Sequence, residues 1–339
     1  MIDRSSLRAA ALVAGVCGFQ SVHGHHSPAA FDMRTDMMVE GTVVEFKWQN
    51  PHAFLTLETT DADGRKTLQE IEAAGASLLA PRGLSGTTIR RDEHVVVLAR
   101  PSRRGPGHIV LGVRLTKDDG QAFTLHLSDP HTTARTSSAR ATSIAGRWVS
   151  RQADFFAYRD ATLQRWPRTE AVRAAQERAR GTARTQCTPY GPPALMIEPV
   201  LTTIAVSDST VTLSHDLDGS PVERVVHLDV TEHPRNLAPS FLGHSIGTFK
   251  QGVLVIDSVG FTAQPEGFGY GVPSSERKHL VERLSLTSDG ALLYETTIED
   301  PGTLTEMVSV TARLDYRPEL SPAGTPCDLE SAREYLDER

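Results

Sequence analysis

The chain lacks several features that would place it in a familiar functional class. It has no excess of positive charge, because 35 Lys and Arg face 42 Asp and Glu and the net charge is −7. A phosphate backbone would be repelled, so the composition argues against a nucleic-acid-binding protein. After the N-terminal segment, no run approaches the ~20 apolar residues that cross a bilayer, so no membrane span is predicted. No catalytic motif is decisive.

What is present indicates a globular protein. The hydrophobic fraction is 39%, the charged fraction is 23%, and 26 Gly and 20 Pro are spread along the chain. These values exclude a disordered, collagen-like or coiled-coil protein. With 339 residues the chain is longer than a single core usually requires, so two domains are expected.

The first 24 residues have the pattern of an export signal. Arg4 and Arg8 precede an apolar run at 9–19, and a small-residue cleavage site follows at Val22-His23-Gly24. Cleavage there makes His25 the new N-terminus and predicts a periplasmic or secreted protein. Val16 before Cys17 is the wrong residue type for a lipid-anchored protein.

The chain has few cysteines, and export would place them in an oxidising compartment where they can form a disulfide. Of the 3 cysteines, only Cys187 and Cys327 remain after cleavage. In an oxidising compartment such a pair usually forms a disulfide, which is the prediction here. The alternative is two buried thiols.

Residues 25–128 are predicted to form a small barrel of the OB type. Short runs rich in Val, Thr and Phe alternate with turn signals such as Asp61 to Gly64. A short helix ending at Pro81 interrupts them. Five or six strands with one helix suit that fold. The predicted strands are 40–48, 53–59, 66–71, 94–100, 108–115 and 122–127.

A polar stretch at 129–145 is predicted to be a linker, and residues 146–339 are predicted to form a second β domain. Gly146-Arg147-Trp148 has the form that opens lipocalin-like barrels. A helix with a solvated, Arg-rich face is predicted at about 169–180. The remaining runs predict eight or so antiparallel strands in an up-and-down barrel that could hold one small ligand. They lie at 201–206, 210–216, 222–230, 246–249, 253–257, 279–286, 292–299 and 307–316.

The string Gly243-His244-Ser245-Ile246-Gly247 fits the Gly-x-Ser-x-Gly pattern of serine hydrolases. A nucleophile elbow needs a helix after the serine. The residues that follow have strand periodicity, so we interpret the glycines as a strand entry.

Three polar residues share the period-two register of apolar strand positions. His215 shares a strand face with Val211 and Leu213, Arg224 with Val226, Leu228 and Val230, and Glu282 with Leu280, Leu284 and Leu286. If these faces point inward, the three side chains meet in the lumen. Two interpretations follow: an ion pair of Arg224 and Glu282 that braces the barrel, or a site where Arg224 fixes a ligand while Glu282 or His215 moves a proton.

The predicted N-terminus could also bind a metal. His25 would present an α-amine and an imidazole, a chelating pair that suits copper, and His26 or His52 could add a nitrogen. Alternatively, His52 caps a turn after Asn50-Pro51.

Two sets of residues in the mature chain carry a resemblance. In the first domain they are His25-His26-Ser27, Phe31-Asp32, Gly41-Thr42-Val43, Trp48 and Asn50-Pro51-His52. In the second they include Gly243, Ser245, Gly247, Leu254, Val255, Asp257, Cys187-Thr188-Pro189, Ser275-Glu276, His279, Glu282-Arg283 and 297–301. On these residues the first domain resembles an uncharacterised family of exported bacterial proteins, and the second resembles a domain often attached to it or found alone. Phe249, Lys250, Gln251 and Gly252 depart from the usual Trp-Glu-Gly-Asp of that second domain.

The resemblance implies architecture and export, and it singles out Asp257 and His279. The expected function is binding of a small, partly apolar molecule in the second barrel. The residues expected to contact it are Ser245, His244, Asp257, His279 and Tyr294. The alternatives are a lyase, isomerase or hydratase that uses Glu282, His215 and Arg224, and a periplasmic copper-binding protein. No oligomeric state is predicted.

Overall fold

A computed structural model describes residues 30–132, 137, 139–179, 187, 189–217 and 220–330. The predicted signal peptide, together with His25 and His26, lies outside the described residues. Within them the chain is mostly β-structure arranged as two closed barrels, which confirms the predicted fold class.

The first barrel has the strand order of an OB fold. Its strands are ordered β3-β2-β1-β4-β5, and a parallel pairing of β3 with β5 closes the ring. A short helix and a 3₁₀ turn connect β3 to β4, and β6 pairs with β5 outside the ring. The bounds are β1 Met37–Lys47, β2 His52–Thr60, β3 Lys66–Ala74, α1 Ala76–Leu79, the 3₁₀ turn Ala80–Arg82, β4 His94–Arg100, β5 Val110–Lys117 and β6 Ala122–Thr124.

The alternation of buried and exposed residues explains why these segments pair. On β4, Val95, Val97 and Ala99 are buried, and the residues between them are more exposed. Between β2 and β3 the Asp61 carboxylate accepts hydrogen bonds from the backbone N–H groups of Asp63 and Arg65. This local bond fixes the turn and therefore the register of the hairpin.

The second barrel has nine strands in sequential order. It begins with β7, and three helices lie between β7 and β8. The bounds are β7 Gly146–Ser150, α2 Gln152–Gln164, α3 Glu170–Ala179, α4 Ala194–Ile197, β8 Leu201–Val206, β9 Thr210–Leu217, β10 Ser220–His227, β11 His244–Lys250, β12 Val253–Val259, β13 His279–Leu286, β14 Leu292–Glu299 and β15 Val308–Tyr316.

An odd number of strands cannot close with every neighbour antiparallel. The exception is the β10–β11 pair, which is parallel and joins Val226 to Ser245 and His227 to Ile246. A parallel pair cannot be joined by a tight hairpin. The connection 228–243 therefore returns along the outside of the barrel before β11 begins.

The predicted helix at about 169–180 is present as α3, but α2 and α4 were not predicted. In α2 the buried side chains are Phe155, Tyr158 and Thr162, and the exposed positions include other apolar residues such as Leu163. That distribution weakens the helical period. The four residues of α4 are all buried, and so short an apolar run has no period to detect.

Aromatic side chains close one end of the second barrel. The connection 260–278, α2 and the segment before β8 meet there. The Trp166 ring lies 5.3 Å from Phe268 and 5.6 Å from Tyr158, whose hydroxyl donates to the Phe268 carbonyl. Tyr190 packs on Tyr270 at 5.7 Å.

The predicted linker at 129–145 is partly built into the barrels at both ends. The buried Asp129 carboxylate accepts two hydrogen bonds from Arg114 of the first barrel. Ala141 and Ile144 are buried in the core of the second. A helix that could span a bilayer was not found in the part of the chain that is described.

The C-terminal segment returns to the first barrel. The Asn50 side chain donates to the Thr325 carbonyl at 2.7 Å, and the backbone N–H of Asp328 donates to the Asn50 carbonyl at 2.7 Å. Between them, Cys327 forms the predicted disulfide with Cys187, 140 residues earlier in the chain.

We predict that removing the disulfide lowers stability without changing the fold. Cys187→Ser combined with Cys327→Ser should reduce the free energy of unfolding by about 2–5 kcal/mol, because the unfolded chain loses a long closed loop. Urea unfolding followed by far-UV circular dichroism measures the change. Equal midpoints for the double variant and the wild-type protein would contradict the prediction.

Candidate functional site

A charged pair lies inside the second barrel. Arg224 of β10 and Glu282 of β13 are buried, with exposures of 2% and 0%. Arg224 Nη1 donates to Glu282 Oε1 at 2.9 Å, and Nη2 donates to Oε2. The geometry is bidentate, the strong form of an arginine–carboxylate contact. Burial alone would lower the pKa of Arg224, but the Glu282 carboxylate raises it overall, so the guanidinium remains charged.

Three hydroxyl groups complete the hydrogen bonding of this pair. Arg224 Nε donates to Ser245 Oγ at 3.0 Å, and Nη2 also donates to Ser258 Oγ at 2.6 Å. The Tyr294 hydroxyl donates to Glu282 Oε1 at 2.8 Å. We call these five residues the luminal cluster. Because its charges are paired and hydrogen-bonded, it avoids much of the cost of an unpaired buried charge.

Strand pairing explains why these residues meet. Ser245 lies opposite Ser258 across β11 and β12, and inward positions alternate with outward ones along each strand. Leu254 and Ile256 on β12 and Leu280 and Leu284 on β13 are fully buried beside the cluster. The luminal cluster therefore lies in a mostly apolar interior, in which Thr202, His215 and Thr296 are also buried.

His215 is also buried, with 1% exposure, but its contacts differ from those expected of a proton carrier. Its Nδ1 hydrogen-bonds with Thr202 Oγ1 at 3.0 Å. Burial, with a smaller effect from Arg224, lowers the pKa of His215 to about 3, so the ring is neutral at ordinary pH. The inward register predicted for Val230 is wrong, because β10 ends at His227 and Val230 is 40% exposed.

Lys278 is a buried cation that sequence reasoning missed. Its Nζ donates to the Pro192 carbonyl at 3.1 Å and lies 4.2 Å from the Phe261 ring centroid and 5.4 Å from that of Phe268. Burial lowers the pKa of Lys278 to about 7, although Asp300 acts in the opposite direction. The residue precedes β13 and follows no apolar period, so its burial had no signal in the sequence.

The residues predicted to contact a ligand separate onto two sides of the barrel wall. Ser245 and Tyr294 are buried in the interior. His244, Asp257 and His279 are partly exposed and occupy outward positions next to the inward-facing Ser245, Ser258 and Leu280. They cannot line the same cavity as Ser245 and Tyr294.

On the outer wall these residues form a second polar group, which we call the outer cluster. Asp257 Oδ1 contacts His279 Nε2 at 3.0 Å and His233 Nε2 at 3.2 Å. The other nitrogen of His233, Nδ1, lies 2.8 Å from His244 Nδ1. The His227 ring stacks on His244 with a centroid distance of 5.2 Å.

His227 and His233 were not singled out from the sequence. His233 lies in an irregular connection, where no periodicity relates it to the strands it contacts. His227 is outward-facing at the end of β10, and its contact with His244 depends on the parallel pairing. Ser258 could have been found, because it shares the period of Leu254 and Ile256.

The predicted copper site is only partly within the described residues. His52 begins β2, and its Nδ1 forms a hydrogen bond with a carboxylate oxygen of Glu72. His25 and His26 lie outside the described residues, so copper binding there stays a prediction. Within the ranges described, no three His, Cys, Asp or Glu side chains are arranged to hold a metal ion.

The Gly-x-Ser-x-Gly string enters a strand and not a nucleophile elbow. Gly243 has a φ of 70°, and a Cβ there would approach Phe261 to 2.7 Å. Ser245 then points inward on β11, where it contacts Arg224 and Ser258. Gln251 and Gly252, which replace the Gly-Asp usual in the similar domain, form the tight turn into β12, and both have positive φ.

Comparison with known proteins gives one match. Residues 14–114 are similar to a family of unknown function, DUF6152. The match covers the first barrel up to β5 and part of the segment before it, which agrees with the resemblance to an uncharacterised family. No curated protein and no solved structure matches the chain.

We predict that removing one charge of the Arg224–Glu282 pair destabilises the protein more than removing both charges. Glu282→Gln should lower the free energy of unfolding by about 3–5 kcal/mol, because Arg224 would stay charged without its counter-ion. Arg224→Met combined with Glu282→Met should lie within about 2 kcal/mol of wild type, since both charges are gone. Urea unfolding of the single and double variants measures the coupling. A double variant less stable than either single variant would contradict the prediction.

We predict that the burial of Lys278 makes stability depend on pH. Between pH 7 and the ordinary lysine pKa of 10.5, the unfolded chain binds a proton that the folded chain releases. Unfolding therefore becomes less favourable as pH rises through this range. Lys278→Met should be more stable than wild type by up to about 5 kcal/mol at neutral pH, and the difference should shrink towards pH 10. Urea midpoints across this range test it, and a constant difference would refute it.

Proposed function

We propose that the second barrel binds a small, partly apolar molecule. The observation that carries the proposal is a compact set of polar groups, the luminal cluster with Lys278 nearby, inside a closed barrel whose interior is otherwise mostly apolar. An apolar pocket with a few convergent polar groups is the usual composition of a small-molecule site.

Lys278 indicates which part of the ligand would be polar. When Lys278 is protonated, the three N–H groups of its ammonium meet one carbonyl oxygen and two aromatic rings. A carbonyl or carboxylate oxygen of a ligand would give this cation the hydrogen-bonded partner that an aromatic ring replaces only in part. The ligand class we propose therefore combines an apolar body with one oxygen acceptor.

The contacts favour binding over acid–base catalysis. Both carboxylate oxygens of Glu282 are held by Arg224, and Tyr294 also donates to one of them. The neutral His215 ring is hydrogen-bonded to Thr202. A lyase, isomerase or hydratase would need one of these groups to exchange a proton with a substrate, and its present partners would have to be displaced first.

Export provides the setting for this proposal. The signal-like pattern of the first 24 residues and the Cys187–Cys327 disulfide both support an oxidising compartment outside the cytosol. A binding protein there would meet its ligand before the ligand enters the cell, or after it leaves.

We predict that the purified protein carries or takes up such a molecule. Denaturing extraction followed by mass spectrometry should show a stoichiometric organic compound, and the apolar anion 1-anilinonaphthalene-8-sulfonate should compete with it. Ala312→Leu, opposite Tyr294 on β15, should abolish binding because it adds volume to the interior. Thr311→Leu is the matched control, because that neighbouring position is exposed.

Two results would overturn the proposal. One is a wild-type protein that yields no compound and binds no probe. The other is equal binding by the Ala312→Leu and Thr311→Leu variants when thermal unfolding shows both to be folded.

A further inference from the structure

The connection between β10 and β11 is held to the outer wall by one side chain in its first half. In residues 229–236, which we call the strap, every side chain is exposed except His233. The following residues are held differently, since the backbone N–H of Ser240 donates to the Gly260 carbonyl at 2.9 Å and Thr262 donates back to Ser240. The position of the strap therefore depends on the contacts of one imidazole.

Both nitrogens of that imidazole are used. Asp257 is a carboxylate and can only accept, so the hydrogens at His233 Nε2 and His279 Nε2 both point to its Oδ1. A neutral His233 then has a bare Nδ1, which accepts the N–H of His244 Nδ1 at 2.8 Å. In this arrangement each of the two nitrogens of His233 has one hydrogen-bond partner.

Other titratable groups face this network from each neighbouring strand. His227 of β10 stacks on His244 of β11, and Glu299 of β14 lies 3.9 Å from His279 Nδ1 of β13. Burial, followed by the charges of His233 and His227, lowers the pKa of His244. His244 therefore takes up a proton less readily in the closed arrangement than in water.

We propose that the strap is an acid-released latch, closed at neutral pH by His233 and opened when the outer cluster takes up protons. One added proton can be shared between His233 and His244. When both rings are doubly protonated, two N–H groups face each other across the same contact, and neither has an acceptor there. The contact then breaks, the strap leaves the wall, and the partly exposed side chains of His244, Asp257 and His279 become more exposed.

The sign of the effect follows from linkage. His244, whose pKa is lowered in the closed state, binds a proton more readily in the open state. The closed state is therefore favoured above the ordinary histidine pKa of about 6.5 and is lost as pH falls below it.

Spin labelling of the strap tests the latch directly. A nitroxide is attached to Asn236→Cys, an exposed strap position, with Cys17 replaced by Ser so that the label has one free thiol. The spectrum should show a slowly moving label at about pH 7.5 and a mobile one at about pH 5, with a transition between these values. Far-UV circular dichroism of the same samples should not change.

Variants assign the transition to the latch. In His233→Ala the label should be mobile at both pH values, and in His233→Gln, which has no titrating ring, its mobility should not depend on pH. His108→Gln is the matched control, since it removes an exposed histidine of the first barrel, and it should behave as wild type. The latch is refuted by a wild-type spectrum that does not change with pH, by a His233→Gln variant that responds as wild type does, or by acid unfolding of the whole domain.

Discussion

The closure of the second barrel with nine strands is the constraint on which the other features depend. An even ring could have consisted of hairpins alone, whereas an odd ring needs one parallel pair and a connection that returns outside the wall. In this chain the return brings His233 over β11 and β12. The outer cluster is thus a consequence of strand number as much as of the individual histidines.

Strand alternation lets one length of wall carry two polar groups that do not touch. Neighbouring residues such as His244 and Ser245, or Asp257 and Ser258, face opposite sides. Inside, charge is neutralised by a buried bidentate pair. Outside, the partly exposed imidazoles of His233 and His279 share the Asp257 carboxylate and can exchange protons with solvent. Because both groups sit on β11, β12 and β13, a change that shifts the register of these strands would affect both.

The sequence predicted those features that depend on strand periodicity or on the chemistry of the residues themselves. Alternation placed Arg224 and Glu282 in the interior, and compartment chemistry paired Cys187 with Cys327. His244 and Asp257 were grouped with Ser245, although they face the other side of the wall. For Asp257 the reason is that a family resemblance selects residues without saying which side of a strand they occupy. His233 and Lys278 lie in connections, and their contacts are set by how the chain returns to the barrel. No local pattern encodes that path.

The disulfide has a consequence for the integrity of the molecule. Cys187 precedes the segment that covers one end of the second barrel, and Cys327 lies in the tail that binds Asn50 of the first. The strap lies between the two cysteines in sequence. A protease that cut the exposed backbone at Arg235 would therefore produce two fragments that remain covalently joined, and a nicked protein would separate into its pieces only after reduction.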